Sequence, residues 1–198
     1  MGAGASKNSA KGDSSKGKAS NNNNNGDVAE GSGPPPMDSR LPYSAFRDFY
    51  TLKNFWKTVQ RAEKDARKNM FSKYLKANPE NMARYPKLAK LQLENISPSC
   101  DDKGFETMAE MYLKVFDDVI SMVEETPADA SSAIARLQAV GKKHRPFGMK
   151  YDDFQKLEEP FLQMVGELLG DRYTDKAETL FRKFFQFCLR YIVEGFQP

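Results

Sequence analysis

Leu137-Gln-Ala-Val-Gly-Lys-Lys-His144-Arg-Pro-Phe-Gly-Met149-Lys-Tyr-Asp-Asp-Phe154 holds the only histidine of a 198-residue chain. Leu137, Val140 and His144 recur at three- and four-residue steps, which puts them on one face of a helix. Pro146 and Gly148 then end that helix, the first by lacking a backbone donor and the second by its freedom to turn. Met149 and Phe154 open a new amphipathic segment. The imidazole therefore stands in the last turn of a helix, at a corner between two helices, facing whatever they enclose. An imidazole so placed either ligates a metal or cofactor or is a core histidine with its hydrogen bonds satisfied, and this stretch alone leaves both open.

Outward from this corner the apolar period is helical from about Phe46 to the end, with no sustained strand alternation. Leu52, Phe55, Trp56 and Val59 mark the apolar face of a first helix. A second runs to Tyr74 and Leu75 and stops at Asn78-Pro79, because the residue before a proline is pushed out of the helical region. Met82 and Tyr85 suggest a short helical turn closed by Pro86, and residues 95–104, with Pro98 and Gly104, read as loop. Phe105, Met108, Tyr112, Val115, Phe116, Val119 and Met122 give a long helix one broad apolar face. Thr126-Pro127 ends it, and Asp129 to Ser132 can cap the helix that carries His144. Phe154, Leu157, Phe161, Leu162, Val165 and Leu168 mark the next helix, in which Pro160 either makes a kink or stands in the first turn. Gly170-Asp171 separates it from a last helix with Leu180, Phe184, Phe187, Cys188 and Tyr191 inward. The fold class expected is all-α, about seven to eight helices over residues 43–198.

Residues 1–42 differ in kind. They contain almost no large apolar side chain and include the Asn21–Asn25 run and Gly-Ser-Gly-Pro-Pro-Pro at 31–36, so a disordered extension is expected. Met1-Gly2-Ala3-Gly4-Ala5-Ser6 fits the acceptor pattern for N-myristoylation at Gly2. A single acyl chain holds a membrane only marginally, and Lys7, Lys11, Lys16 and Lys18 supply a second, electrostatic attraction to anionic lipid. The localisation expected is cytoplasmic, at the inner face of a membrane. The net charge of +3, from 30 basic and 27 acidic residues, is nearly balanced and interleaved along the helices, which argues against a nucleic-acid partner. Cys100 and Cys188 make no disulfide framework, and no apolar run is long enough to span a bilayer.

Taken together, Trp56, Pro79 with the turn after it, His144 within His-Arg-Pro-Phe-Gly-Met-Lys, Phe154 and the paired final helices resemble a globin, most closely the nematode and neuroglobin-like members, from Phe49 to Phe196. The resemblance implies a globin fold around a haem b pocket, with His144 as the proximal iron ligand. It places Val140, Met149 and Phe154 beside that histidine, and Phe71, Tyr85, Met108 and Tyr112 around the distal side. Met108 falls where a distal histidine commonly stands and Tyr85 where a phenylalanine commonly packs on the haem. A bis-histidine iron is excluded, since there is no second histidine.

The sequence leaves three distal chemistries open. Met108 is an apolar lid, or its thioether is a second iron ligand, or the Tyr112 hydroxyl donates to a diatomic ligand. Three functions follow in turn. The first is a membrane-tethered globin that binds oxygen or nitric oxide as a sensor, scavenger or redox protein. The second is a redox enzyme or electron-transfer protein acting on nitrite, nitric oxide or superoxide, which would need a separate reductase because the chain carries no flavin or nicotinamide motif. The third is a haem-free globin-fold interaction module.

Overall fold

The protein is described from a computed structural model, in which residues 33–196 are placed; the expected acylation site at Gly2 and the lysines that follow lie outside the described residues. Among the described residues there are seven α-helices joined by 3-10 turns, and no strand. Helix α1 (Phe46–Arg61) buries Leu52, Trp56 and Val59 as expected, with Phe49 one turn earlier in place of Phe55, which is half-buried. Trp56 lies at the centre of the core. Its ring meets Phe116, Phe161 and Phe181, and its indole N–H donates to Asp117 at 3.0 Å, so a large apolar body is buried with its one polar atom satisfied.

Helix α2 (Glu63–Ala77) ends where Asn78 precedes Pro79. Two 3-10 turns, Pro79–Arg84 and Pro86–Leu88, then lead towards α3 (Lys103–Glu125). Asp102 caps α3 by accepting the Phe105 N–H at 2.9 Å. Gly104, expected in the loop, lies inside the first turn of α3. A side chain there would meet the Lys87 carbonyl oxygen at 2.5 Å, so this glycine marks a close approach of backbones and not a helix break. The apolar face of α3 splits into two stripes. Phe105, Ala109, Leu113, Phe116, Ile120 and Val123 are buried, whereas Met108, Tyr112, Val115 and Met122 are half-buried.

The helix carrying the histidine, α4 (Ser131–His144), is capped in part from far upstream. Asp129 accepts the Ser131 N–H at 2.9 Å, as its position suggests, but the Ala130 N–H donates to Asp38 at 2.8 Å. Arg40 beside it, and then the Ala130 N–H, hold the Asp38 carboxyl far below the usual carboxylate range. Asp38, Arg40 and Leu41 thus pack on the helical body although they precede the boundary expected at residue 43. Tyr43 follows, its hydroxyl donating to the Leu180 carbonyl at 2.7 Å.

Beyond the corner come α5 (Tyr151–Gln155), α6 (Glu158–Leu169) and α7 (Asp175–Glu194). Pro160 stands in the first turn of α6, where a missing N–H leaves no helical bond unmade. Helix α4 crosses α7 at backbone contact. A Cβ on Gly141 would lie 1.9 Å from the Ile192 carbonyl oxygen, and one on Gly195 would lie 2.2 Å from the Gln138 carbonyl oxygen. The two backbones touch there. This contact, one turn before His144, seats α4 against the rest of the domain.

Candidate functional site

His144 is half-buried, and its Nδ1 lies 2.8 Å from the Val140 carbonyl oxygen. A carbonyl can only accept, so Nδ1 carries a proton, and in the neutral ring Nε2 is the nitrogen with the lone pair. The ring is held edge-on to Phe154 at 5.2 Å between centroids, and Phe154 packs in turn on Phe196 at 5.3 Å. Behind the histidine, Gly148 adopts φ +62°, a left-handed conformation that favours glycine, and so reverses the chain into α5. The Arg145 Nε donates to the Gly195 carbonyl at 3.0 Å, tying the corner to the end of α7.

The turn after α2 is joined to this corner through buried Asp153. The Asp153 carboxylate accepts the Lys150 N–H at 2.8 Å and the Arg84 guanidinium at 2.9 Å. Burial by itself raises the Asp153 pKa, but those two donors overcome it and hold the carboxyl below its ordinary value. The same guanidinium lies 3.0 Å from the Met149 sulfur.

A second cluster forms around Phe71, which is fully buried in α2. Tyr112 stacks on it at 5.0 Å, Phe105 stacks at 5.3 Å, and Tyr85 meets it edge-on at 5.4 Å. The Tyr85 and Tyr112 hydroxyls are hydrogen-bonded to each other, and Asn81 Nδ2 donates to the Tyr74 hydroxyl at 2.9 Å. Burial is the first cause that pushes the Tyr74, Tyr85 and Tyr112 phenols well above their ordinary range, so all three are neutral O–H groups at physiological pH. Met108 stands one turn before Tyr112 on the same half-buried stripe.

The structure therefore brings Phe71, Tyr85 and Tyr112 together, and places Val140, His144 and Phe154 together, with Met149 reached through Arg84. Tyr74, Asn81, Arg84, Phe105 and Asp153 were not anticipated as site residues. The only cue for the first two is the seven-residue spacing of Tyr74 and Asn81 across the Asn78-Pro79 break, which no helical period joins.

An open groove of about 740 Å³ between residues 39–42 and α7 is a weaker candidate. Its arginines are already paired, Arg40 with Asp38 and Asp129, and Arg182 with Glu158, Glu159 and Glu178.

The globin family profile matches residues 68–191, from α2 through most of α7. The chain belongs to the globin family. Solved structures similar in fold include the hexacoordinated haem protein of an anhydrobiotic tardigrade, at 24% identity and a TM-score of 0.72, covering 82% of this chain and 100% of that one. Haemoglobin of the botfly Gasterophilus intestinalis gives 15% identity and a TM-score of 0.65, covering 76% of this chain and 97% of that one. Deoxy haemoglobin from Dasyatis akajei gives 17% and 0.63, covering 77% and 98%. No curated protein matches the chain in sequence.

The donor set of this globin fits the family's cofactor. Among the described residues no group of three or more His, Cys, Asp or Glu side chains is arranged to hold a bare ion. One neutral imidazole with a free Nε2 suits iron that a macrocycle already chelates on four sides. The apolar groups at hand, Val140 and Phe154 beside the histidine, Met149 against Arg84, and Met108 and Val115 on α3, suit the faces of such a macrocycle.

Proposed function

We propose that this globin binds haem b through His144 Nε2 and takes up oxygen or nitric oxide beneath the Tyr112 hydroxyl. The observation that carries this reading is the hydrogen bond from His144 Nδ1 to the Val140 carbonyl, which fixes both the tautomer and the direction of the free nitrogen. Haem, when bound, supplies an iron that coordinates a diatomic ligand. Val140, Met149 and Phe154 line the histidine side, and Phe71, Tyr85, Met108 and Tyr112 the other. Tyr112 is fixed twice, by its stack on Phe71 and its bond to Tyr85, and a fixed O–H is what discriminates a polar diatomic from an apolar one. Met108, its apolar neighbour, is the lid in this reading.

The test is made on the haem-loaded full chain. Tyr112→Phe is expected to speed oxygen dissociation roughly tenfold, the loss of one buried hydrogen bond of ordinary strength. Met108→Ala should leave the rate within about twofold and keep the reduced spectrum five-coordinate. A six-coordinate reduced spectrum that Met108→Ala converts to five-coordinate would replace the lid with a thioether ligand.

We also propose that the protein is tethered to the cytoplasmic face of a membrane by N-myristoylation at Gly2, aided by Lys7, Lys11, Lys16 and Lys18, and acts there as a local sensor or scavenger. Support comes from the sequence pattern. Gly2→Ala should move the protein from the membrane to the soluble fraction of cells, and an unchanged distribution would remove the tether.

A further inference from the structure

Four large apolar side chains are exposed among the described residues, and two of them, Phe147 and Tyr151, stand four residues apart at the reversal that follows His144. Phe147 is the most open of the four, at 70%, and Tyr151 is 43% exposed. Phe147 closes the 3-10 turn Arg145–Phe147, and Gly148 turns the chain back immediately after it. No atom would lie within 4 Å of a side chain added at Gly148, so the apex of this corner faces open space. A phenylalanine held there forgoes the gain that burial would give it.

The charge around the apex is one-sided. Lys142, Lys143, Arg145 and Lys150 are all exposed, and residues 142–150 contain no acidic side chain. The nearby carboxylates are engaged elsewhere. Asp153 is buried and held by Arg84 and the Lys150 backbone N–H, and Glu194, next to the Gly195 whose carbonyl Arg145 holds, is paired with Arg190. Asp152, exposed just beyond Tyr151, is the one acid that follows closely in the chain.

We propose that this corner docks on an anionic lipid bilayer, with Phe147 inserted among the headgroups, Tyr151 at their level, and Lys142, Lys143, Arg145 and Lys150 against the lipid phosphates. The proposal stands on the helical domain alone and needs neither an acyl chain at Gly2 nor bound haem. Exposed cations attract an acidic protein as well, but the residue types here favour lipid. Three of the four cations are lysines, which protein interfaces deplete in favour of arginine, and whose stems lie along an apolar surface while the ammonium stays in water. A lone phenylalanine at an apex needs no shaped pocket to enter a fluid interface, and a tyrosine ring, apolar with one polar end, suits the headgroup layer. The Phe147 ring meets the His144 ring edge-on at 6.3 Å, so docking turns the histidine side of the domain towards the membrane.

The experiment uses the full chain made without N-acylation, and vesicles of phosphatidylcholine alone or mixed with phosphatidylserine, at low salt. Lys7, Lys11, Lys16 and Lys18 are kept in every variant, so differences between variants report the corner. The parent is expected to sediment with the mixed vesicles and not with phosphatidylcholine alone. Phe147→Ser should weaken that partition roughly tenfold. Lys142→Gln combined with Lys143→Gln should weaken it roughly twenty-five-fold, at about fivefold for each lysine near an anionic surface. All three side chains are exposed, so these variants should melt with the parent. In Phe147→Trp the new indole should shift its emission to the blue on mixed vesicles and be quenched by brominated acyl chains, while Trp56, buried in the core, adds a constant background.

A parent that ignores mixed vesicles, parent-like partition by either variant, or an indole in Phe147→Trp that brominated chains do not quench would overturn the proposal. Binding of soluble polyglutamate that weakens by the same factors in both variants, without that quenching, would assign the corner to an acidic protein instead. The tether at Gly2 is read in cells on the acylated chain, and stands or falls separately.

Discussion

His144→Gly is expected to weaken haem binding by more than about a hundredfold, with partial recovery in millimolar imidazole. Removing a side chain one step away from a metal already costs ten- to a hundredfold in affinity, so loss of the ligand itself sets a higher floor. The rescue distinguishes ligation from packing. His144 packs on Phe154 at 5.2 Å, and a core histidine would leave a cavity when removed, but free imidazole would then restore stability without restoring an iron–nitrogen spectrum. With ligation, both return together. The glycine also leaves the Val140 carbonyl without the Nδ1 proton it accepts, and the added imidazole can reoccupy that bond.

Gly141→Ala is expected to destabilise the fold by about 3 kcal/mol, and so to lower Tm by roughly 6–12 °C in a domain of this size. The added carbon would sit 1.9 Å from the Ile192 carbonyl oxygen, and the neighbouring Cα of Gly195 lies only 3.0 Å from it. Those are backbone atoms, so no side chain can swing aside, and α4 must move off α7. Because His144 is in the next turn of the same helix, the variant should also lose haem affinity at temperatures where it is still folded. Gly148→Ala is the control. Its φ of +62° strains an alanine, yet no atom lies within 4 Å of the new carbon, so its cost should stay near 1 kcal/mol and its melting curve well above that of Gly141→Ala.

Much of this was legible in the sequence because the helices announce themselves. The stripes of α1, α3 and α7 repeat at helical spacing, and the breaks at Asn78-Pro79, Thr126-Pro127 and Gly148 fall where backbone chemistry puts them. The corner at His144 could be read for the same reason, since ligand, helix end and reversal lie within a dozen residues. What the sequence hid is what depends on distant partners. Asp38 caps α4 across 92 residues of chain, and its segment has no period to betray that it packs. Gly104 reads as a loop glycine because composition cannot distinguish a chain break from the close approach of the Lys87 carbonyl. The distal side was visible only as a stripe, Met108, Tyr112 and Val115. Whether Met108 or Tyr112 matters more depends on the Tyr85 hydroxyl, which comes from the turn after α2, and no periodicity connects that turn to α3.

The most direct test is a titration of the purified full chain with haemin, followed at the Soret band, on the parent and on His144→Gly. A sharp end point at one haemin per parent chain is expected, and no comparable end point for the variant. A parent chain that develops no Soret band, or a variant that titrates with the same affinity and stoichiometry, would contradict the assignment of His144 as the residue that holds haem.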